Sequence, residues 1–499
     1  MFKEHPKGLR VLFFTEMWER FSYYGMRAIL LLFMTTDMAK EGLGLATDTA
    51  GAIYGLYTAG VYLLTLPGGW IADNILGQRK AIWYGGICIM TGHALLAIPG
   101  VTGTFYTGLC FVALGTGLLK PNISSIVGDL YPDKGAERDA GFSIFYMGIN
   151  VGAILGQTAV AYFGEKVNWH LGFSLAAFGM LIGLIQYRLS QKSLGEIGIR
   201  PRVDKKIKAD EPSNRPIAIA LAVILISLLV FLQIFGYIDM LSAVGIADTV
   251  GVLIVTVVLF FFIYVLVAGG LSITEKKQTV VIFFLFIGAA MFWAGFEQAG
   301  SSLNLFGRDY TDRFLFGWEL PTGWLQSINP IFIVIFAPII GTLWVKLAAR
   351  NINPRLPLKF AMGLFLLAAG FLVMFFAAQI VATGTKVGMT WLILTYFLHT
   401  IGELTLSPVG LSATTKLAPR KYYGQMMGVW FVGSALGNLI AGVYGGNFDP
   451  ENVQQMPDLF MAVVKFGIGG TVLFLVLSPH IVLRVDGLSC VRAQAHHSC

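Results

Sequence analysis

Thr15-Glu16-Met17-Trp18-Glu19-Arg20-Phe21-Ser22-Tyr23-Tyr24-Gly25-Met26-Arg27 decides how this chain reads. Two acids, two arginines and two tyrosines stand inside a run that is otherwise apolar from Val11 to Met34. At helical spacing Glu16, Arg20, Tyr23 and Arg27 fall at i, i+4, i+7 and i+11 and share one stripe, with Glu19 at its edge. On a soluble helix that stripe would be a solvated face. In a membrane helix the same groups must face protein or a water-filled cavity.

Composition chooses between the two. The 499 residues are 56% hydrophobic and only 13% charged, with a mean hydropathy of +0.71. A soluble domain is about a quarter charged. Apolar segments of roughly 20 residues, enough to cross a hydrocarbon core of about 30 Å, fall near 11–34, 50–73, 81–98, 105–127, 141–164, 172–189, 217–234, 249–271, 280–303, 325–347, 358–381, 389–411, 426–444 and 460–482. These are fourteen candidate spans of an all-α polytopic membrane protein. The 59 glycines suit helices that pack closely in lipid.

The net charge of +7 suggests nucleic acid until the charges are placed. Arg79, Lys80, Lys134, Arg138, the cluster from Arg188 to Arg215, Lys276, Lys277, Lys346, Arg350, Arg355, Lys359, Lys416, Arg420 and Lys421 all fall in alternate connections. The other connections hold only Lys40, Lys166, Arg308, Arg313 and Lys386. The rich side is cytoplasmic, both termini lie there, and no nucleic-acid partner is implied. Cys88 and Cys110 lie in apolar segments and Cys490 and Cys499 in the tail, with no disulfide or metal spacing. The start reads as a retained span, not a cleaved signal. Residues 485–499 read as a polar tail, native or exogenous, outside the fold.

The basic, proline-bearing stretch 191–215 reads as a cytoplasmic linker. The two spans between it and Lys276-Lys277 must form a hairpin, leaving six spans on either side. The chain thus divides into a six-helix bundle (1–190), linker plus hairpin (191–278), a second six-helix bundle (279–484) and the tail. Between the second and third spans, Gly69-Trp70-Ile71-Ala72-Asp73-Asn74-Ile75-Leu76-Gly77-Gln78-Arg79-Lys80 resembles the G-x-x-x-D-x-x-x-G-[RK] loop of the major facilitator superfamily. Asp73 is there expected to cap a helix and meet a basic neighbour. The 6 + 2 + 6 layout resembles that fold, in which two halves rock about a central cavity.

Ionisable residues inside spans are functional candidates. They are Glu16, Glu19, Arg20, Arg27, Lys120, Glu297, His399 and Glu403, with Lys465 near the start of the last span. Lone buried charges are costly, so pairs are expected. Arg27 with Glu297 and Lys120 with Glu403 would join the two halves as gate salt bridges. Tyr146 and Asn150, Trp293 and Glu297, His399 and Glu403, and Trp430 and Ser434 are i, i+4 pairs of a ring with a polar group. Trp293 and Trp430 read as cavity walls or as lipid-facing aromatics. Asn150 and Ser434 read as ligands or as helix glue. His399 reads as a packed, hydrogen-bonded histidine and His93 as a packing or capping one. Asn329-Pro330 is expected to interrupt the tenth span and free a carbonyl.

Glu16-Met17-Trp18-Glu19-Arg20-Phe21-Ser22-Tyr23-Tyr24-Gly25 resembles the E-x-x-E-R-F-x-Y-Y-G signature of proton-dependent oligopeptide transporters. Phe145-Tyr146-Met147-Gly148-Ile149-Asn150-Val151-Gly152 resembles the family's F-Y-x-x-I-N-x-G signature. Gly117-Leu118-Leu119-Lys120-Pro121-Asn122 and Gly402-Glu403-Leu404-Thr405-Leu406-Ser407-Pro408 match further motifs, and the likeness runs from about Lys7 to Val482. The resemblance implies a bacterial type with an extra hairpin that imports di- and tripeptides with protons, multi-pass in the inner membrane. It implies no organic cofactor or metal, only the proton gradient, and leaves the oligomeric state open. Carried over, Arg27 and Lys120 would receive the peptide carboxylate, and Glu403 with Asn329 the amino group. Tyr23, Tyr24, Tyr62 and Asn150 would contact the backbone and ends. Trp293, Trp430 and Ser434 would line side-chain pockets. Glu16, Glu19 and Arg20 would couple protons, and Glu297 would exchange Arg27 for a proton.

Two departures qualify the likeness. Some members carry a second acid where Phe296 stands, which makes this pocket more apolar. Animal members use a histidine where Gly55 stands, so coupling should rest on carboxylates. A same-fold carrier of an amino acid or nitrate is the alternative, although nitrate carriers lack the complete E-x-x-E-R motif. No H-E-x-x-H or G-x-S-x-G motif and no paired aspartates within spans point to an enzyme.

Overall fold

The structure is a computed structural model that describes residues 2, 4–131, 135–199, 227–350, 352 and 354–495. Helices account for nearly all of it. They are α1 (Lys7–Thr35), α2 (Thr47–Leu63), α3 (Thr65–Ile71), α4 (Gln78–Leu96), α5 (Thr102–Asp129), α6 (Ala136–Lys166), α7 (Trp169–Ser190), α8 (Ala243–Val267), α9 (Ile273–Phe296), α10 (Ser302–Asp309), α11 (Ile328–Ala349), α12 (Leu356–Val381), α13 (Thr390–Leu417), α14 (Tyr423–Gly445) and α15 (Met456–Ala495). Eleven stretches of the described residues are long and apolar enough to cross a membrane. The 29-residue α1, with its buried charges, and the 19-residue α4 fill the places of two more expected spans. Residues 227–234 are helical, and the rest of the expected 217–234 span lies outside the described residues. The chain is a multi-pass integral membrane protein of the major facilitator fold.

The helices pack in two groups. In the first, α1 lies along α6 and α7, and α4 along α5 and α7. In the second, α12 lies along α13 and α15, and α9 along α14 and α15. The α1–α6 contact explains how a charged helix sits in a membrane protein. Gly148, Gly152 and Gly156 recur every four residues on α6, and a Cβ at Gly152 or Gly156 would come within 2.2 Å of the Met17 or Phe21 carbonyl. The stripe lets the backbones touch and buries one side of α1. Its charged stripe is left facing the other group. Between the groups, α2 meets α14 at Gly55 and Gly442, where a Cβ on Gly442 would lie 2.4 Å from the Gly55 Cα. Helix α8 packs against both α2 and α14, with Ala247, Ile254, Val258, Phe262 and Val265 as its buried stripe.

Four local expectations change. The second span breaks at Leu64 into α2 and α3, followed by a wide turn over Ala72–Leu76. Asp73 caps no helix and forms no ion pair among the described residues; Arg79 instead donates to the carbonyls of Gly195 (2.8 Å) and Gln191 (3.0 Å). Pro330 interrupts nothing. It lies in the first turn of α11, where its missing N–H needs no partner. Helix α15 runs to Ala495, past the end of the expected span and through most of the stretch read as a tail. The all-α reading gains small exceptions in the outer loops. Thr311–Asp312 pairs in parallel with Val387–Gly388, and Phe314–Leu315 pairs antiparallel with Trp318–Glu319.

Candidate functional site

A cavity of about 290 Å³ lies between the two helix groups. Helix α1 gives it Glu16, Arg20, Tyr24 and Arg27, α2 gives Tyr62, and α5 gives Lys120. Across from them stand Trp293 and Phe296 on α9, Asn329 on α11, and His399 and Glu403 on α13. Three carboxylates and three cations line it, which leaves the wall balanced in formal charge.

The charges differ in how they are held. Glu16 Oε1 lies 3.0 Å and Glu19 Oε2 2.5 Å from Arg20 Nε, so two carboxylates share one guanidinium. All three side chains are buried. Fully ionised, the cluster carries a net −1, and one added proton makes it neutral. Arg20 also lies over the Tyr23 and Tyr24 rings, 5.4 and 5.7 Å from their centroids. Two turns along the same helix, Arg27 Nη2 donates to Glu297 Oε2 across the groups. Glu297 terminates α9, where the chain continues as a single tight turn to Gly300. A carboxylate at a helix C-terminus faces the negative end of the dipole, so Arg27 compensates what the fold makes unfavourable.

Lys120 and Glu403 stand apart. Lys120 Nζ sits 4.2 Å from the Tyr62 ring centroid, and Glu403 Oε2 accepts from Asn329 Nδ2 at 3.2 Å. Among the described residues no ion pair joins them, so the expected second gate bridge is not made here. On the inner side, where Lys120 lies, no hydrogen bond joins the two halves among the described residues. There Lys120 and Ser124 also border an apolar opening of about 1180 Å³ walled by α3, α8 and α14.

Most residues singled out from the sequence meet at the cavity. Glu16, Arg20, Tyr24, Arg27, Tyr62, Lys120, Asn150, Trp293, Phe296, Glu297, Asn329 and Glu403 all line it. Four do not. Glu19 lies behind Arg20, and Tyr23 packs on Tyr24 and Tyr57. Trp430 is buried against Gly410, where a Cβ would come within 2.1 Å of its ring. Ser434 is buried beside it on α14. Neither forms the side-chain pocket expected of it, because that face of α14 packs on α9 and α13. His399 packs as read, with Nε2 3.2 Å from the Leu367 carbonyl, though one edge reaches the cavity. His93 is fully buried among packed helices. Sequence reasoning missed Gln157, Gln326 and Tyr396. Gln157 carried a usable signal, lying at i+7 from Asn150 on the same face of α6.

The outer side is sealed. Glu165 of α6 accepts from the backbone N–H of Thr322 (2.7 Å) and Gly323 (2.8 Å), ahead of α11. Lys166 pairs with Glu319 at 3.0 Å, and Trp324 Nε1 donates to the Thr158 carbonyl at 2.8 Å. Asn304 donates to the Ala28 carbonyl at 3.0 Å and Arg308 to Thr35 at 2.7 Å. Among the described residues every hydrogen bond between the groups lies at or outside the level of Arg27. The cavity therefore faces the cytoplasm.

A family model described as the POT family matches residues 79–455. The chain belongs to the POT family. The peptide transporter YePEPT of Yersinia enterocolitica is 40% identical over 95% of this chain and 94% of its own length. A di-/tripeptide transporter of Lactococcus lactis is 38% identical, covering 87% of this chain and 88% of its own. A crystal structure of peptide transporter POT in complex with sulfate superposes with a TM-score of 0.87 at 39% identity, covering 97% of this chain and 96% of that one. The signature stretches of α1 and α6 thus face each other across one helix contact, with Glu16, Arg20 and Tyr24 of the one and Tyr146 and Asn150 of the other turned to the same cavity.

Proposed function

We propose that this chain is a proton-coupled symporter that imports di- and tripeptides through the inner membrane by alternating access. One observation carries the reading. Of the charged groups on the cavity wall, Arg20 and Arg27 are already paired with carboxylates, while Lys120 and Glu403 face the same space unpaired. A peptide is a zwitterion whose two ends never change while its side chains do. One free cation and one free carboxylate fit those ends, and the aromatic walls of Tyr24, Tyr62, Trp293 and Phe296 tolerate what lies between. The names of the similar transporters support the same substrate class.

The proposed roles follow from the charges. Lys120 and Arg27 take the carboxylate, and Glu403 with Asn329 the amino group. When Arg27 turns to a substrate carboxylate, Glu297 loses its counter-charge and favours its protonated form. The cluster of Glu16, Glu19 and Arg20 has one carboxylate more than cations and is neutral with one bound proton. Proton and peptide are then linked by exchange of partners, without covalent chemistry, metal or organic cofactor. Proteoliposomes bearing the protein should accumulate labelled dialanine under an inward proton gradient. Equal uptake with the gradient collapsed would refute the coupling. Uptake that unlabelled di- and tripeptides do not inhibit would refute the substrate class.

A further inference from the structure

Helix α6 presents Tyr146, Asn150, Ala153 and Gln157 to the cavity at i, i+4, i+7 and i+11. Gln157 is the outermost of the four, about 10 Å along the axis from Asn150 at 1.5 Å per residue. It is 6% exposed, and its Oε1 is buried without a hydrogen-bond partner. Its Nε2 donates to nothing among the described residues. The other carboxamides on the wall are engaged. Asn150 donates to the Tyr146 carbonyl (2.9 Å), Asn329 to Thr400 (2.9 Å) and Glu403 (3.2 Å), and Gln326 to the Ala28 carbonyl (3.4 Å). A buried carboxamide left without partners costs stability, and the cavity leaves this one for its occupant.

The levels of the helices say which occupant. Lys120 lies in the inner third of α5, whereas Asn150 and Glu403 lie near the middles of α6 and α13. Gln157 lies in the outer third of α6, one residue past Gly156, whose backbone packs on Gly25 and Phe21 of α1. On the proposed reading a dipeptide is held by Lys120 and Arg27 at its carboxylate and by Glu403 at its amino group, and Gln157 is assigned to neither end. Each further extended residue adds about 3.4 Å. With its carboxylate kept at the cations and its amino group at Glu403, a tripeptide has one more peptide unit to place along the cavity wall. A carboxamide offers one donor and one acceptor, the complement of a peptide N–H and C=O.

We propose that Gln157 is a specificity-determining residue that hydrogen-bonds the extra peptide unit of a tripeptide, so that it sets affinity for chain length and not for side chains. This rests on the peptide-transport reading above. The test is competition against labelled dialanine in proteoliposomes, comparing unlabelled dialanine and trialanine for wild type, Gln157→Leu and Gln157→Met. The expected result is a five- to thirtyfold rise in the trialanine concentration needed for half inhibition, with dialanine changed less than twofold. Two results overturn the proposal: equal losses for both peptides in each variant, as a structural role would give, or unchanged competition by both. If wild type takes up no peptide, the functional reading fails instead, which is a separate result. Gln157→Met keeps the volume, so the comparison stands should Gln157→Leu fail to elute as a monodisperse species.

Discussion

Glu165→Ala should release the outer side of the protein. In the present state the Glu165 carboxylate accepts two backbone N–H groups, of Thr322 at 2.7 Å and Gly323 at 2.8 Å, and it comes from the opposite helix group. The acceptor is negative and the donors begin a helical segment, so charge and dipole act together. A hydrogen bond to a charged group contributes about 1.5–3 kcal/mol, and removing the acceptor leaves its donors unpaired. When the outer side opens, carboxylate and amides are hydrated, so only part of that sum distinguishes the two states. A differential of about 2 kcal/mol is a reasonable figure, which at about 1.4 kcal/mol per factor of ten is a ~30-fold shift toward the outward-facing state. Lys166 with Glu319 and Trp324 with Thr158 remain, so the shift is partial and not total. The assay is labelling of Ile333→Cys, a cavity-wall position, by an impermeant maleimide from outside, in a background lacking the four native cysteines. Labelling should accelerate at least tenfold in Glu165→Ala and less in Glu165→Gln, which keeps one acceptor. A rate within twofold of the parent in both variants would refute the latch.

Two further outcomes follow from the same geometry. Lys120→Ala should weaken dialanine binding by ~10–100-fold, the equivalent of about 1.5–3 kcal/mol for one charged hydrogen bond, and should reduce the preference for dialanine over dialanine amide; an undiminished preference in competition assays would place the carboxylate elsewhere. Lys166 holds the Glu319 carboxyl below its usual range. The Lys166–Glu319 contribution to outer closure is then full above the ordinary value of about 4.3 and is lost as pH falls through the lowered folded value. The difference in spin-label distance across the outer ends of α6 and α14 between wild type and Glu319→Gln should therefore stay constant between pH 5 and 7, and a difference that varies in that window would contradict the assignment.

Much of this site was legible before any coordinates, and the parts that were not have physical reasons. Ionisable residues in apolar segments are so costly that their presence alone marks Arg27, Lys120, Glu297 and Glu403 as cavity groups, and all four line one space. Lys/Arg asymmetry gave the topology for the same energetic reason. What failed depended on which face of a helix turns inward. Trp430 and Ser434 sit on a helix that is buried nearly all round, where spacing cannot separate a cavity wall from a packing surface. Asn329-Pro330 read as a break because a proline in an apolar run normally is one. The chain enters α11 only at Ile328, and the preceding Thr322–Ser327 turn, invisible to apolarity, makes the same proline a helix starter. The Lys120–Glu403 bridge failed differently. On the proposed reading it would form only when the two halves close on the inner side, and spacing along the chain does not tell one closed side from the other.

On the proposed reading α1 serves both proton coupling and peptide binding. The Arg27–Glu297 pair lies where the outer seal begins, and Glu297 ends a helix that does not favour its charge. Opening the outer side must stretch or break this pair. An unpaired Glu297 in a buried site is unfavourable unless it takes a proton, and an unpaired Arg27 is unfavourable unless it meets an anion. A proton and a substrate carboxylate together meet both needs, and either alone meets one. The cluster around Arg20, two turns inward on the same continuous helix, has the opposite imbalance to an isolated arginine: it already carries one carboxylate too many. A rigid α1, locked to α6 by the glycine stripe, prevents either end from relaxing on its own. On the proposed reading, coupling then arises from neutrality. The proton brings the buried charges of the cavity to balance, and the zwitterionic peptide, which adds no net charge, supplies the local anion that Arg27 lacks once Glu297 is protonated.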